Sequence, residues 1–121
     1  MRDKEKTSET RLDQLSEDWA SVKRLPHQTG LPMAVWITEN DGHPHDARVK
    51  VSTLHGGRGS WRAAVSMAVR SSPREIVPGS LPAADVALVS RWIELNRAVI
   101  IDLWDQAITP DEAIARLQRL P

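Results

Sequence analysis

Apolar residues near the start of the chain recur with the spacing of one helix face. They lie three or four positions apart among charged residues: Leu12, Leu15, Trp19 and Val22. Such a stripe is typical of an amphipathic helix that buries one side. The pattern predicts a helix over residues 8–25, ended by Pro26, and a linker with glycine and proline up to residue 32. Because this linker separates the helix from the rest, its apolar face can pack on the same chain or on a partner.

The middle of the chain shows the alternation of β-strands. Residues 33–38 form a short apolar run, and the dipeptide Asp41-Gly42 after it predicts a tight turn. Apolar positions that face a core then alternate with polar positions that face solvent: Ala47, Val49 and Val51 against Arg48, Lys50 and Ser52. The same alternation over residues 61–69 predicts another strand, with Trp61 facing the core. A short fourth strand is predicted at 75–77.

The last third of the chain has the pattern of helices. From Pro82 to Trp104 the apolar residues are so frequent that the predicted helix must be covered on several sides. Thr109-Pro110-Asp111-Glu112 is a capping box with proline at the first helical position, which predicts a final short helix. The pattern as a whole predicts an α+β fold, with an antiparallel sheet of three or four strands packed on a long C-terminal helix. We expect residues 1–32 to form the N-terminal helix and linker, and residues 33–121 to form one compact domain.

Composition narrows the class of protein. The chain has no cysteine, which excludes disulfides and cysteine-ligated metals. Its charged N-terminus does not resemble a secretory signal, and no apolar run is long enough to cross a membrane, so we expect a cytoplasmic protein without membrane contact. All five aromatic residues are tryptophan, and most of them must serve as the large packing units of the core. Nothing in the pattern indicates a cofactor.

Charge is balanced over the chain but uneven along it. Residues 46–75 hold six basic and two acidic groups, a net charge of +4, whereas residues 81–112 hold two basic and six acidic groups, a net charge of −4. Two oppositely charged layers of one fold would give this pattern, and so would a basic sheet surface that receives an anionic partner. The candidate contacts to nucleic acid are Arg48, Lys50, Arg58 and Arg62. Trp61 could stack on a nucleobase there only if it faced outward.

Histidines and carboxylates cluster at the predicted turn. His43, His45 and Asp46 have side chains that could bind a metal or act as general acid and base. Their spacing matches no specific metal signature, and Pro44 between the histidines favours an extended backbone that could splay the two rings. A solvated polar turn is the alternative interpretation.

The chain resembles a small bacterial family, domain-of-unknown-function family 4160, over roughly residues 33–120. The matching segments are Gly79-Ser80-Leu81-Pro82, Ala87-Leu88-Val89, Trp92, Glu94-Leu95-Asn96-Arg97 and Leu103-Trp104. Asn40-Asp41 and Pro44-His45 match parts of the family's turn. Without a gap, the family's last two turn histidines fall on Asp46 and Arg48; with a one-residue gap, His45 matches one of them and Ala47 lies at the other. The family's helix histidine is Asn96 here. The resemblance implies a compact sheet-and-helix module of a kind often paired with a small partner protein, in an arrangement suspected of being toxin–antitoxin. It implies no established reaction.

Two functions are therefore predicted. The first is a non-enzymatic bacterial interaction module that binds a small protein partner or a second copy, in a toxin–antitoxin-like pair, through Leu12, Leu15, Trp19 and Val22. The alternative is a nucleic-acid-binding protein or small nuclease that uses Arg48, Lys50, Arg58 and Arg62 together with the His43–His45 turn. A metal site at His43, His45 and Asp46 is a third hypothesis.

Overall fold

The computed structural model describes residues 21–121. Its strands are β1 (Ser21–Arg24), β2 (Met33–Thr38), β3 (Arg48–His55), β4 (Val65–Ala68) and β5 (Arg74–Glu75). Its helices are α1 (Pro26–Thr29), α2 (Ala83–Trp104) and α3 (Pro110–Arg116), and a single 3₁₀ turn spans Trp61–Ala63. The predicted α+β class is confirmed, and the long helix begins directly after Pro82 as its spacing predicts.

The five strands form one antiparallel sheet in chain order, β1-β2-β3-β4-β5. Each strand therefore pairs with its neighbour in sequence, and each connection is a loop or one short helix. The register places Val35 opposite Val51 and Val51 opposite Val65. Side chains along this row point to the same face, because directly paired residues share a side of the sheet.

That face, here called the inner face, forms the core with α2. Val49 and Trp92 are 0% exposed, and Val65 packs against the same cluster. The inward positions predicted for Ala47, Val49 and Val51 are confirmed, since all three are buried. Burial of this apolar surface is the main source of stability for a domain of this size. Ser52, predicted to face solvent, is only 2% exposed, because the loop at Arg58 and Gly59 packs on it.

The end of the chain is tied to α2 through Asn96, which is 1% exposed. Its side-chain oxygen accepts the Gln118 N–H at 2.7 Å, and its Nδ2 donates to the Gln118 carbonyl oxygen at 3.0 Å. A third bond, from Nδ2 to the Trp92 carbonyl oxygen, measures 3.0 Å. The buried amide thus has its polar atoms paired, and it holds the tail after α3 against the long helix.

The capping box predicted at Thr109 is confirmed at the start of α3. Thr109 Oγ1 accepts the Glu112 N–H at 3.1 Å, and Glu112 Oε1 accepts the Thr109 N–H at 3.0 Å. Each bond satisfies an N–H that the helix itself leaves unpaired.

The prediction of a helix over residues 8–25 is wrong for its last residues. Ser21–Arg24 form strand β1 and pair with β2, which adds one strand beyond the predicted three or four. Val22, placed by the helical stripe on a partner-binding face, lies opposite Ile37 and is 7% exposed in this chain's own core. The hydrogen bonds offered by β2 override the helical spacing over these four residues. Leu12, Leu15 and Trp19 lie outside the described residues.

Trp61 also departs from its prediction. It begins a 3₁₀ turn rather than a strand, because Ser60 Oγ accepts the Ala63 N–H at 3.4 Å and caps the turn. Its ring packs edge-to-face on Trp36, with 6.5 Å between the ring centroids, on the side of the sheet opposite the core. Trp61 therefore covers this second side, here called the outer face, and is half-buried there.

Within residues 21–121, no helix combines the length and apolar character that spanning a bilayer requires.

Candidate functional site

A pocket of about 150 Å³ opens on the outer face of the sheet. It lies between strands β2 to β4, the turn over residues 39–47, the 3₁₀ turn and the C-terminal end of α2. Its lining residues are Thr38, His43, His45, Arg48, Lys50, Trp61, Ser66 and Trp104. Of these, His43, His45, Arg48 and Lys50 were predicted as site residues from the sequence. The structure brings these four together.

The outer face carries a row of paired residues across four strands. The register aligns Lys23 with Trp36, Trp36 with Lys50, and Lys50 with Ser66. Lys23 Nζ lies 5.4 Å from the centroid of the Trp36 ring, and Lys50 Nζ lies 5.2 Å from the centroid of the Trp61 ring. Ammonium groups at these distances are attracted by the negative face of an aromatic ring. The row thus combines aromatic surface with positive charge.

The position of Trp61 depends on the loop before it. Gly59 has a φ of 106°, and a Cβ at that position would lie 2.1 Å from Ser52 Oγ. A side chain at this position would push against the Ser52 side chain, and the positive φ itself favours glycine. Ser52 Oγ in turn donates to the Arg58 carbonyl oxygen at 3.0 Å and accepts the Leu54 N–H at 3.1 Å. The loop is therefore held against β3, and Trp61 follows it onto the outer face.

The two predicted histidines stack on Trp104 rather than splaying apart. Their ring centroids are 5.1 Å apart, and they lie 5.9 Å (His43) and 5.4 Å (His45) from the Trp104 ring, with interplanar angles of 16° to 26° for the three pairs. Trp104 is 3% exposed and fixed in the core. The aromatic ring that supports the turn therefore comes from α2 and not from the turn's own residues.

Backbone and amide hydrogen bonds hold the turn at this end of α2. The Asn40 N–H donates to the Trp104 carbonyl oxygen at 3.0 Å, and Gln106 Nε2 donates to the Asn40 carbonyl oxygen at 3.0 Å. Asn40 Oδ1 accepts the His43 N–H at 2.9 Å, which closes the turn locally. The last turn of α2 thus sets the position of both imidazoles.

His45 has a defined hydrogen-bonding state when neutral. Its Nδ1 lies 2.7 Å from the Asp46 carbonyl oxygen. A carbonyl only accepts, so we assign the proton to Nδ1, which leaves Nε2 as an acceptor.

The Asp46 carboxylate is hydrogen-bonded to groups other than the two histidines. It accepts from the Ala47 N–H at 2.7 Å and from Arg70 Nε at 2.9 and 3.0 Å. The Ala47 N–H bond, followed by the bond and charge of Arg70, lowers the pKa of this carboxyl below its ordinary value. Across residues 21–121, no three histidine or acidic side chains are arranged to hold a metal ion. The structure therefore does not assemble the metal site hypothesised at His43, His45 and Asp46.

The pocket is electropositive. Arg48 and Lys50 line it, and none of its described lining residues is acidic. Burial lowers the pKa of the Lys50 ammonium, and the positive charge of Arg48 lowers it further. Two cations held near each other and partly desolvated favour an anion between them.

Other predicted contacts lie outside the pocket. Arg58 is exposed in the glycine-rich loop, and Arg62 is exposed on the 3₁₀ turn next to Trp61. Prediction from sequence missed Thr38, Ser66 and Trp104 as lining residues. It considered Trp61 for this face but assigned it to the core. The signal that could have placed Trp61 correctly is Gly59-Ser60, since serine after glycine favours a capped turn over a continuing strand.

Comparison of the chain with protein-family models, with curated proteins and with solved structures found no match.

Proposed function

We propose that this protein binds single-stranded nucleic acid in the pocket on the outer face of its sheet. The observation that carries the proposal is the composition of the pocket: two tryptophans, two histidines, one arginine and one lysine, with no carboxylate among the described lining residues. Proteins that bind unpaired strands combine these same elements, cations for the phosphates and aromatic rings for the bases.

The phosphate would lie against Arg48 and Lys50. A phosphate between them relieves the repulsion between the two cations and gains charge-assisted hydrogen bonds from both. Ser66 supplies a hydroxyl group in the same pocket, which can donate a further bond to a phosphate oxygen. These contacts read no sequence, because phosphates are the same at every nucleotide.

The nucleobase would stack on the aromatic side of the pocket, formed by Trp61 and by the histidines supported on Trp104. Typical pockets for drug-sized ligands measure roughly 300–1,000 Å³, and a pocket of about 150 Å³ is of a size that suits one planar group such as a nucleobase. Bases inside a duplex are already stacked and paired, and their faces cannot enter such a pocket. The pocket therefore favours an unpaired strand.

Replacement of Trp61 by alanine tests the proposal. Loss of base stacking is expected to weaken binding by about 5- to 150-fold. The measurement is the fluorescence anisotropy of a labelled single-stranded oligonucleotide titrated with protein at low salt. Trp61→Phe, which keeps an aromatic face, should retain most of the affinity, and a duplex of equal length should bind less tightly than the single strand. Absence of binding by the wild type at low salt, or equal affinity of wild type and Trp61→Ala, would remove the proposal.

Binding is also expected to weaken as the pH rises above about 8, into the range where a lysine with a lowered pKa loses its proton. Because its pKa is lowered, Lys50 in the free protein loses its proton at a lower pH than an ordinary lysine does. A bound phosphate raises that pKa again, so binding at alkaline pH requires uptake of a proton. Affinity is therefore greatest below the pKa of Lys50 in the free protein and falls as the pH passes through it. Anisotropy titrations from about pH 8 to about pH 10.5 check this, with Lys50→Arg as the control that should remove the fall.

The prediction that the protein is a small nuclease stays a prediction, and the length of an RNA strand after incubation with the protein tests it. The proposal of a protein partner also stays a prediction, because Leu12, Leu15 and Trp19 lie outside the described residues. The relation to the resembled family stays a prediction as well, since no family model matches the chain.

A further inference from the structure

A second depression adjoins the pocket on the outer face. It has a volume of about 330 Å³ and shares two residues with the pocket, Arg48 and Ser66. The pocket extends from these two residues toward β2 and the turn over residues 39–47, whereas the second depression extends toward β5. Arg48 on β3 therefore lies at the junction of two adjoining sites.

The second depression is largely apolar. Beyond the junction its lining residues are Ala64, Val65, Ile76, Val77 and Ser80, although Val65 also packs against the core on the inner face. The side chain of Val77 is 66% exposed, the largest exposed fraction among the described large apolar residues. Exposure of this apolar side chain to water is unfavourable, and a ligand that covers it gains the free energy of burying that surface.

The loop that presents Val77 is held in place. The Ser80 N–H donates to the Val77 carbonyl oxygen at 3.2 Å, and the Ser80 hydroxyl bonds the same oxygen. The Glu75 carboxylate accepts the Leu81 N–H at 2.9 Å and the Gly79 N–H at 3.3 Å. Val77 is thus presented on a preorganised turn, which lowers the entropy cost of binding a ligand there.

We infer that the second depression receives the next nucleobase of the same strand, and that Arg48 holds the phosphate between the two bases. This inference rests on the proposed function and extends it from one nucleotide to a dinucleotide. Two adjacent bases lie on either side of the phosphate that joins them, as the two sites lie on either side of Arg48. An apolar surface beside a cation suits a nucleobase, which has apolar faces and is linked to a phosphate.

Chain-length dependence tests the inference. The probes are thymidine 5′-monophosphate, the dinucleotide of thymidine, and the same dinucleotide without its second base, each competing against a labelled single-stranded oligonucleotide. Wild-type protein is expected to bind the dinucleotide at least about tenfold more tightly than the mononucleotide. The dinucleotide without its second base should bind about as weakly as the mononucleotide, because it keeps the phosphate and lacks the ring.

Val77→Ser should remove most of the gain in affinity that the second base gives the dinucleotide, and should leave the affinity for the mononucleotide unchanged. Val77→Thr replaces one methyl group by a hydroxyl at nearly constant shape and should lose part of the gain. Leu95→Ser, at an apolar position on α2 that is 40% exposed and lines neither site, is the matched control and should bind like the wild type.

The outcomes separate the two proposals. If the mononucleotide binds but the dinucleotide gains nothing, or if Val77→Ser keeps the full gain, the second site is wrong and the single-nucleotide pocket stands. If neither mononucleotide nor longer strand binds, the proposed function is wrong and the second site falls with it.

Discussion

Replacement of Arg48 by alanine is expected to lower the affinity for a single-stranded oligonucleotide by roughly 10- to 150-fold, the cost of losing charged hydrogen bonds to phosphate. Arg48 lines the pocket, the second depression and a third depression that reaches Arg70 and Arg74. No other described residue lines all three. Its guanidinium can bind a phosphate with two parallel bonds. The variant should therefore show the largest loss of any single charge replaced on the outer face.

Anisotropy titrations at several salt concentrations measure this effect. The slope of log affinity against log salt should become shallower by about one for the loss of one phosphate contact. Arg48→Lys keeps the charge without the two-pronged geometry and should fall between wild type and alanine. Arg58→Ala and Arg91→Ala remove exposed arginines that line none of the three depressions, and both should bind nearly like the wild type. An equal loss for all three alanine variants would show that binding depends on overall charge and not on this junction.

Replacement of Trp104 by alanine is expected to destabilise the protein by about 3–5 kcal/mol, the usual cost of truncating a buried tryptophan. The ring is 3% exposed, belongs to the core cluster, and also supports both imidazoles of the turn. Removing it leaves a cavity between α2 and the turn and takes away the surface on which His43 and His45 stack. The free energy of unfolding from urea titration measures the loss.

Two further variants test whether the loss of stability comes from the buried ring of Trp104. Trp104→Phe keeps an aromatic ring of smaller size and should cost less than the alanine variant. Ile114→Ala, at a position on α3 that is 41% exposed, should change stability by less than about 0.5 kcal/mol. A Trp104→Ala protein as stable as the wild type would contradict the assignment of Trp104 to the core and would leave the turn without its support.

The inner face of the sheet forms the core, whereas the proposed binding residues lie on the outer face. On the inner face the row Val35, Val51 and Val65 packs toward α2. On the outer face Trp36 is 3% exposed and packs on Trp61, whereas Lys50 and Ser66 in the same row are half-buried. Arg48 is also half-buried on this face and lies outside the apolar core cluster, and this is why we expect Arg48→Ala to alter binding without large loss of stability.

Local pattern in the sequence determined the elements whose structure depends on neighbours in the chain. The spacing of apolar residues after Pro82 defines α2, and the capping box at Thr109 starts α3. The alternation around Val49 shows which side chains of β3 point to the inner face. Each of these signals acts within a few residues, through backbone hydrogen bonds or side-chain periodicity. The sequence alone also selected His43, His45, Arg48 and Lys50 as candidates, because their charge and chemistry are visible without a fold.

Tertiary structure decided the features that depend on residues far apart in sequence. Ser21–Arg24 are a strand because β2 offers them a hydrogen-bonding edge, and their helical spacing could not show this. Trp61 lies on the outer face because Gly59 packs against Ser52 and the 3₁₀ turn replaces a strand. The histidines gain their order from Trp104, which is more than fifty positions away. Contacts of this range depend on how elements pack, and the period of a single element carries no information about them.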